Sequence, residues 1–357
     1  MATVGAVAAA RLDDTGRAGG PTATSAPSSG PGVDRLSGRA TTPDAATLRS
    51  WGLPARLDLP EGMAGRLHLA VRGRALLEVD LATGIVEARP APDRTDVLTL
   101  HVLGDGTDLV ADQTAIAVRR AGGTDFVPVA GLVGGYLQVL AADDSTVVVS
   151  HAAPDRNELW LVGPDGEARP AAESLQQGRD WSIARLALRD GQLVTGFAQA
   201  VGVVDPDLGT GYAVADGTLV AADDRTLVRT VCDAALRCTL RSGPYEAPDR
   251  HVVAIDGPLR NTLLSAQLSP DGRWLLVGTY DGALVMDLVD LTTGSSRPVP
   301  EGVATTPFEL AARFTPDGRW LVVAEATGVV LIEPATETRL RIEFGPDNRI
   351  GALDVTG

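Results

Sequence analysis

Two stretches near the C-terminal end of the 357-residue chain are close copies of each other: residues 264–288, LSAQLSPDGRWLLVGTYDGALVMDL, and residues 310–332, LAARFTPDGRWLVVAEATGVVLI. They share Pro-Asp-Gly-Arg-Trp-Leu at Pro270–Leu275 and at Pro316–Leu321. An internal repeat at this spacing, with strand composition, belongs to solenoids, propellers and arrays. In each copy Pro270 or Pro316 presets φ for the first corner of a type I turn, and Asp271 or Asp317 suits the second. Gly272 and Gly318 can take the left-handed conformation that completes a short hairpin loop. Trp274 and Trp320 each open an apolar run without strict alternation, as expected of strands covered on both faces. Further turns at Asp281-Gly282 and Leu291–Ser296 cut the first copy into four short strands, the blade of a β-propeller.

Weaker copies lie upstream. Asp105-Gly106, Asp143-Asp144, Asp190-Gly191 and Asp223-Asp224 each precede a short apolar run. With the two strong copies they predict six hairpins. A seventh unit, Arg66–Val71, Ala75–Leu81 and Ile85–Ala88, has only three strands, and residues 350–355 supply the missing innermost one. The predicted fold is therefore all-β, a seven-bladed propeller over residues 64–357 closed by its C-terminal strand; six or eight blades also fit the degenerate middle copies. An open β-sandwich or a parallel β-helix is the competing architecture. Closure removes the sheet edges that would otherwise invite aggregation.

The Ser/Thr-Pro-Asp-Gly-Arg-Trp-Leu signature resembles the WD40-like repeat of TolB-type propellers, strongly over residues 262–344 and faintly over residues 64–260. The chain departs from true WD40 repeats: Gly-His is missing at blade starts, and Met286-Asp287 and Ile332-Glu333 stand where Trp-Asp would close the third strand. The sialidase Asp-box is also missing. The resemblance implies a repeat scaffold, and such scaffolds bind proteins, peptides or small ligands while some carry enzymes.

The chain carries 46 acidic and 31 basic residues, a formal net charge of −15. Such a surface repels nucleic acid and anionic bilayers, and Arg119-Arg120 is too short a basic cluster to reverse that. Every basic residue is Arg. Without Lys there is no Walker-type phosphate loop, Schiff-base catalyst or Ser-Lys dyad. No Gly-x-Ser-x-Gly elbow occurs.

Residues 1–10 are small and apolar and stop sharply at Arg11. They are too short to span a bilayer and lack a basic n-region, yet they resemble the trailing end of a signal or anchor, with Ala6-Val7-Ala8 as a small-residue site; a disordered terminus is the plainer reading. Residues 11–63 are expected to be a flexible Gly/Pro/Ser/Thr-rich linker, in which Leu48–Pro60, with Trp51, has the composition to dock on the propeller rim.

Cys232 and Cys238 flank one short turn and can face each other across a hairpin, so a disulfide is expected, with two buried free thiols as the alternative. A disulfide points to an oxidising compartment. His68, His101, His151 and His251 are scattered over four blades without neighbours at ligand spacing; His101 falls on an expected inner strand, where a channel could gather distant residues. Asp143-Asp144 and Asp205-Pro206-Asp207 lack the ligand spacing of a calcium loop and suit turns instead. Trp160, Trp181, Trp274 and Trp320 sit where core residues are expected.

The function expected from the sequence is that of a non-enzymatic, extracytoplasmic, monomeric scaffold, secreted or membrane-tethered through its N-terminal segment, binding a protein or small ligand on one propeller face. No cofactor, metal, catalytic residue or nucleic-acid partner is expected. The alternatives are a lactonase-like metal-dependent hydrolase and a cytoplasmic WD40-like scaffold.

Overall fold

The computed structural model describes residues 36, 38–92, 97–133, 135–153, 156–176, 186–197, 200–235, 237–254, 262–280, 284–299, 304–306 and 309–357. Residues 1–10 and Trp181 therefore lie outside the described residues. Seven antiparallel sheets, each with four blade strands, form a seven-bladed β-propeller. We number the blades from the one containing Arg66–Val71. Blades 2 to 7 begin with inner strands Thr99–Val102, Tyr136–Ala142, Leu186–Arg189, Thr218–Ala222, Thr262–Leu268 and Ala312–Phe314. A two-stranded hairpin, Ala304–Thr306 with Glu309–Leu310, lies between blades 6 and 7.

Blade 1 is built from both ends of the described chain. Ile350–Thr356 is its inner strand and pairs with Arg66–Val71 in antiparallel register, from Arg66↔Thr356 to Val71↔Ile350. Ala75–Asp80 and Val86–Arg89 complete the sheet. The six remaining blades each begin with a hairpin between the inner and second strands, at the six sites marked by Asp in the sequence.

The repeated turn owes its regularity to the residue before proline. Gly272 N–H donates to Ser269 O at 2.8 Å, and Gly318 N–H to Thr315 O at 2.8 Å, closing both type I turns. Gly272 and Gly318 have φ of +69°, the left-handed region expected of them. The Thr315 hydroxyl donates to Asp317 Oδ1 at 2.6 Å and accepts the Trp320 N–H at 3.0 Å. Ser269 repeats the pattern with Asp271, at 2.5 Å, and Trp274, at 2.8 Å. Both hydroxyls are fully buried. Thr315→Val keeps the shape but leaves the buried Trp320 N–H without its acceptor. We expect a loss of about 1–3 kcal/mol, read as a lower urea midpoint at unchanged slope. The weaker copies use other turns: Asp190 and Gly191 both have positive φ, +49° and +74°, which is the type I′ geometry of a two-residue hairpin.

The second strands explain the unalternated runs. Leu275 and Val277 pack toward blade 5, with Val220 and Val228. Leu276, between them, packs toward blade 7, with Phe314 and Val323. Alternate side chains thus face opposite neighbours, and both neighbours are apolar. Trp274 lies in the layer between blades 6 and 7. Trp320 lies between blades 7 and 1, among Leu77, Val79 and Leu353.

The stretch expected as a linker is packed over much of its C-terminal half. Gly38–Arg39 adds a fifth strand outside blade 2, against Asp125–Val133. Asp44 caps the short helix Ala45–Ser50, accepting the Thr47 N–H at 2.7 Å. Leu48, Leu53, Leu57 and Met63 are buried in the layer between blades 7 and 1. Asn348, just before the closing strand, donates to Trp51 O at 2.8 Å and accepts from Arg74 of blade 1. The segment is a strap across the ring's closure. Four well-spaced apolar side chains suffice to order it, although the composition around them is that of a linker. Among the described residues no helix is long and apolar enough to cross a membrane.

Candidate functional site

The inner strands surround an axial cavity of about 1030 Å³. It reaches the face carrying the inner hairpins, where the exposed Asp144 and Asp224 lie on its rim. Those hairpins touch around the ring. A Cβ built on Gly318 would stand 3.3 Å from Asp271, and one on Gly272 would stand 2.8 Å from Thr226 Oγ1. A side chain in place of either glycine would crowd its neighbour at these seams.

The sequence-marked residues divide between frame and cavity. Pro270 and Pro316 line the mouth. Asp271, Gly272, Asp317 and Gly318 shape its turns. Trp274 and Trp320 are buried between blades and do not line the cavity. Cys232 and Cys238 are directly opposed on the second and third strands of blade 5 and are joined as a disulfide.

The basic and imidazole side chains of the wall come from blades 1, 2 and 7. Asp354, on the closing strand, accepts the Val102 N–H of blade 2 at 2.8 Å through Oδ2, and its Oδ1 lies 3.5 Å from Arg313 Nε of blade 7. One carboxylate thus fixes three blades around the axis. His101 lines the cavity with its Nδ1 4.0 Å from Asp354 Oδ2, beyond hydrogen-bond length.

A second network runs outward between blades 1 and 2. Glu78 pairs with Arg66 at 3.1 Å and with Arg89 at 3.3 Å. Arg89 also reaches the buried Asp108 at 2.7 Å, which pairs in turn with Arg119. Arg89 Nη1 lies 2.9 Å from His68 Nδ1. A guanidinium can only donate, so Nδ1 accepts, the proton sits on Nε2, and Nε2–H donates to Thr356 Oγ1 at 2.9 Å. The Thr356 hydroxyl proton is thereby turned away from His68, on a residue that lines the cavity.

Burial, reinforced by the Arg89 charge and opposed by Asp354, pushes His68 down from 6.5 to about 4. Burial likewise pushes His101 down to about 4, with Asp354 opposing and Arg313 reinforcing. Both are neutral near pH 7. Their folded values lie below their unfolded ones, so the stability they contribute is complete above about pH 6.5 and is lost as pH falls toward about 4. Between pH 5 and 6.5, above the range of ordinary carboxylates, we expect unfolding free energy to fall by up to about 1.4 kcal/mol per pH unit for each histidine. His101→Gln should roughly halve that slope in urea titrations.

The scattered histidines do have neighbours. His68, His101 and His151 stand 3.7, 4.0 and 3.8 Å from Glu78, Asp354 and Glu158. His68↔Glu78 and His151↔Glu158 are cross-strand partners of adjacent strands. That pairing follows from hairpin register and could have been read from the sequence. The His101 and Asp354 juxtaposition carries no local signal. His251 sits half-buried on the outer strand of blade 5. Asp143 and Asp205 accept backbone N–H groups of their own turns. Among the described residues no three His, Cys, Asp or Glu side chains converge as metal ligands.

No family model and no curated protein matches the chain. Solved structures are similar to it over most of its length, with TM-scores below 0.5. A protein provisionally assigned as a 6-phosphogluconolactonase from Bacteroides fragilis matches with a TM-score of 0.48 and 14% identity, over 83% of this chain and 99% of that one. TolB from Acinetobacter baumannii matches with a TM-score of 0.48 and 12% identity, over 83% of this chain and 67% of that one.

Proposed function

We propose that the protein is a non-enzymatic binding module working outside the cytoplasm, which receives a small ligand or a protein segment at the hairpin end of its axial cavity. The observation that carries this reading is a large axial cavity with polar groups fixed in advance: Asp354, Arg313, His68 and Glu78 are each positioned by a partner on an adjacent strand or blade. Sites of this size with a few convergent polar groups are characteristic of ligand recognition. The Cys232–Cys238 disulfide supports an oxidising compartment. The module acts as a monomer, without nucleic acid, and any membrane attachment runs through its N-terminal segment.

The test begins with thiol state in the native host. Fractions are alkylated without reduction and the intact mass is measured. An unmodified pair in the envelope or medium is expected. Two alkylated thiols in the cytosol would overturn the location and favour a cytoplasmic scaffold. Crosslinking from the rim, through a photoreactive group at Asp144 or Asp224, should then capture a bound species. Stoichiometric calcium or zinc retained on purification would favour the hydrolase instead.

A further inference from the structure

The charges around the cavity are segregated. Every basic side chain and imidazole of its lining comes from blades 1, 2 and 7, including Arg66, Arg89 and Arg313. With His68 and His101 neutral, these three guanidiniums are the positive charges of the lining, and they stand beside Glu78, Asp354 and the α-carboxylate of Gly357. On the opposite side, blades 3, 4 and 5 contribute Asp143, Asp144, Asp190, Asp223 and Asp224 and no basic residue. Blade 6, between the two, lines the cavity with uncharged residues and offers Ser265 Oγ and Gln267 Oε1, both buried and without a hydrogen-bond partner among the described residues.

The two sides are also prepared differently. Asp143 and Asp223 are held by backbone N–H groups of their own turns. The neighbouring Asp144 and Asp224 are exposed and have no ion-pair partner among the described residues. Across the cavity the His101 ring is nine-tenths buried, and its nearest carboxylate, at 4.0 Å, is out of hydrogen-bond range.

Resting on the binding reading above, we infer that the cavity takes a small zwitterion, with an ammonium at one end and a carboxylate at the other. The ammonium faces Asp144 and Asp224. The carboxylate faces Arg66 and Arg313. A purely anionic ligand meets five carboxylates, and a purely cationic one meets the guanidiniums. Only a ligand carrying both charges matches both sides, and complementarity of this kind sets specificity through the mismatches it penalises.

The probes are ω-aminohexanoate and ω-aminooctanoate, titrated calorimetrically into the full chain beside octanoate and octylamine, which each lack one charged end. At least one amino acid is expected to bind, and both single-ended analogues to bind at least about tenfold more weakly. The double variant Asp144→Asn/Asp224→Asn leaves the turn-forming Asp143 and Asp223 in place. It should keep the wild-type melting temperature, weaken the amino acid about tenfold and leave octanoate bound no more weakly than before. Equal binding of octanoate or octylamine, or an unchanged affinity in the double variant, overturns the inference. If no ω-amino acid binds while rim crosslinking still captures a species, the zwitterion assignment fails and the binding module stands. If both experiments are blank, both readings fail.

Discussion

Removing residues 350–357 will abolish cooperative folding. The segment is the inner strand of blade 1 and buries Ile350, Ala352 and Leu353. Its loss strips Arg66–Val71 of one hydrogen-bonding partner along its whole length, and an unpaired apolar edge invites non-native pairing. It also deletes Asp354, which ties the closing strand to Val102 and lies against Arg313, and Thr356, the acceptor of His68. The truncated chain should show no sigmoidal thermal transition by circular dichroism and should elute as aggregate. A synthetic peptide of the missing sequence should partly restore the transition, because strand addition needs only a free edge and matching side-chain pockets. A truncated chain that melts where the full chain does would show that ring closure contributes little.

The second large effect falls on Trp320. It is 2% exposed and lies where blade 7, blade 1 and the strap Leu residues meet. Trp320→Ala leaves a cavity bounded by separate sheets that cannot close on it, and we expect a loss of about 3–5 kcal/mol in urea unfolding. The indole N–H is buried without a hydrogen-bond partner among the described residues, which is itself unfavourable. Trp320→Phe removes that donor while keeping most of the ring, so it should cost well under half as much as alanine. Phenylalanine and alanine of equal cost would mean that the interface collapses around the smaller side chain. Trp274 is the internal comparison: it is 7% exposed, with Arg273 and Arg297 4.7 and 5.1 Å from its ring, so its replacement by alanine should also remove contacts to these guanidiniums.

Much of this architecture was legible in the residues. Pro270–Trp274 and Pro316–Trp320 specify turn and strand by local chemistry alone, and the three-stranded first unit calls for a partner at the other end. What escaped was chemistry without periodicity. The Ser269 and Thr315 hydroxyls act through a buried hydrogen-bond pattern that composition cannot distinguish from ordinary turn polarity. The strap is ordered by a few separated apolar residues, diluted by Gly, Pro and Ser upstream. The cavity was the least readable part, because its side chains meet only after the ring closes: Val102 and Asp354 are bonded across 252 positions. Arg313 and Arg66 looked like two of many surface arginines until the circle placed them on one side of it.

The closing strand also sets a timetable. Ile350 is synthesised about 280 residues after Arg66, and at roughly 5–20 residues per second the first blade waits about 15–60 s for its inner strand. Throughout that interval Arg66–Val71 is an apolar edge with no proper partner, while later blades are still emerging behind it. The chain is therefore most vulnerable to misassembly during its own manufacture, and its yield should depend on how fast translation, or any export that follows, delivers the last few residues.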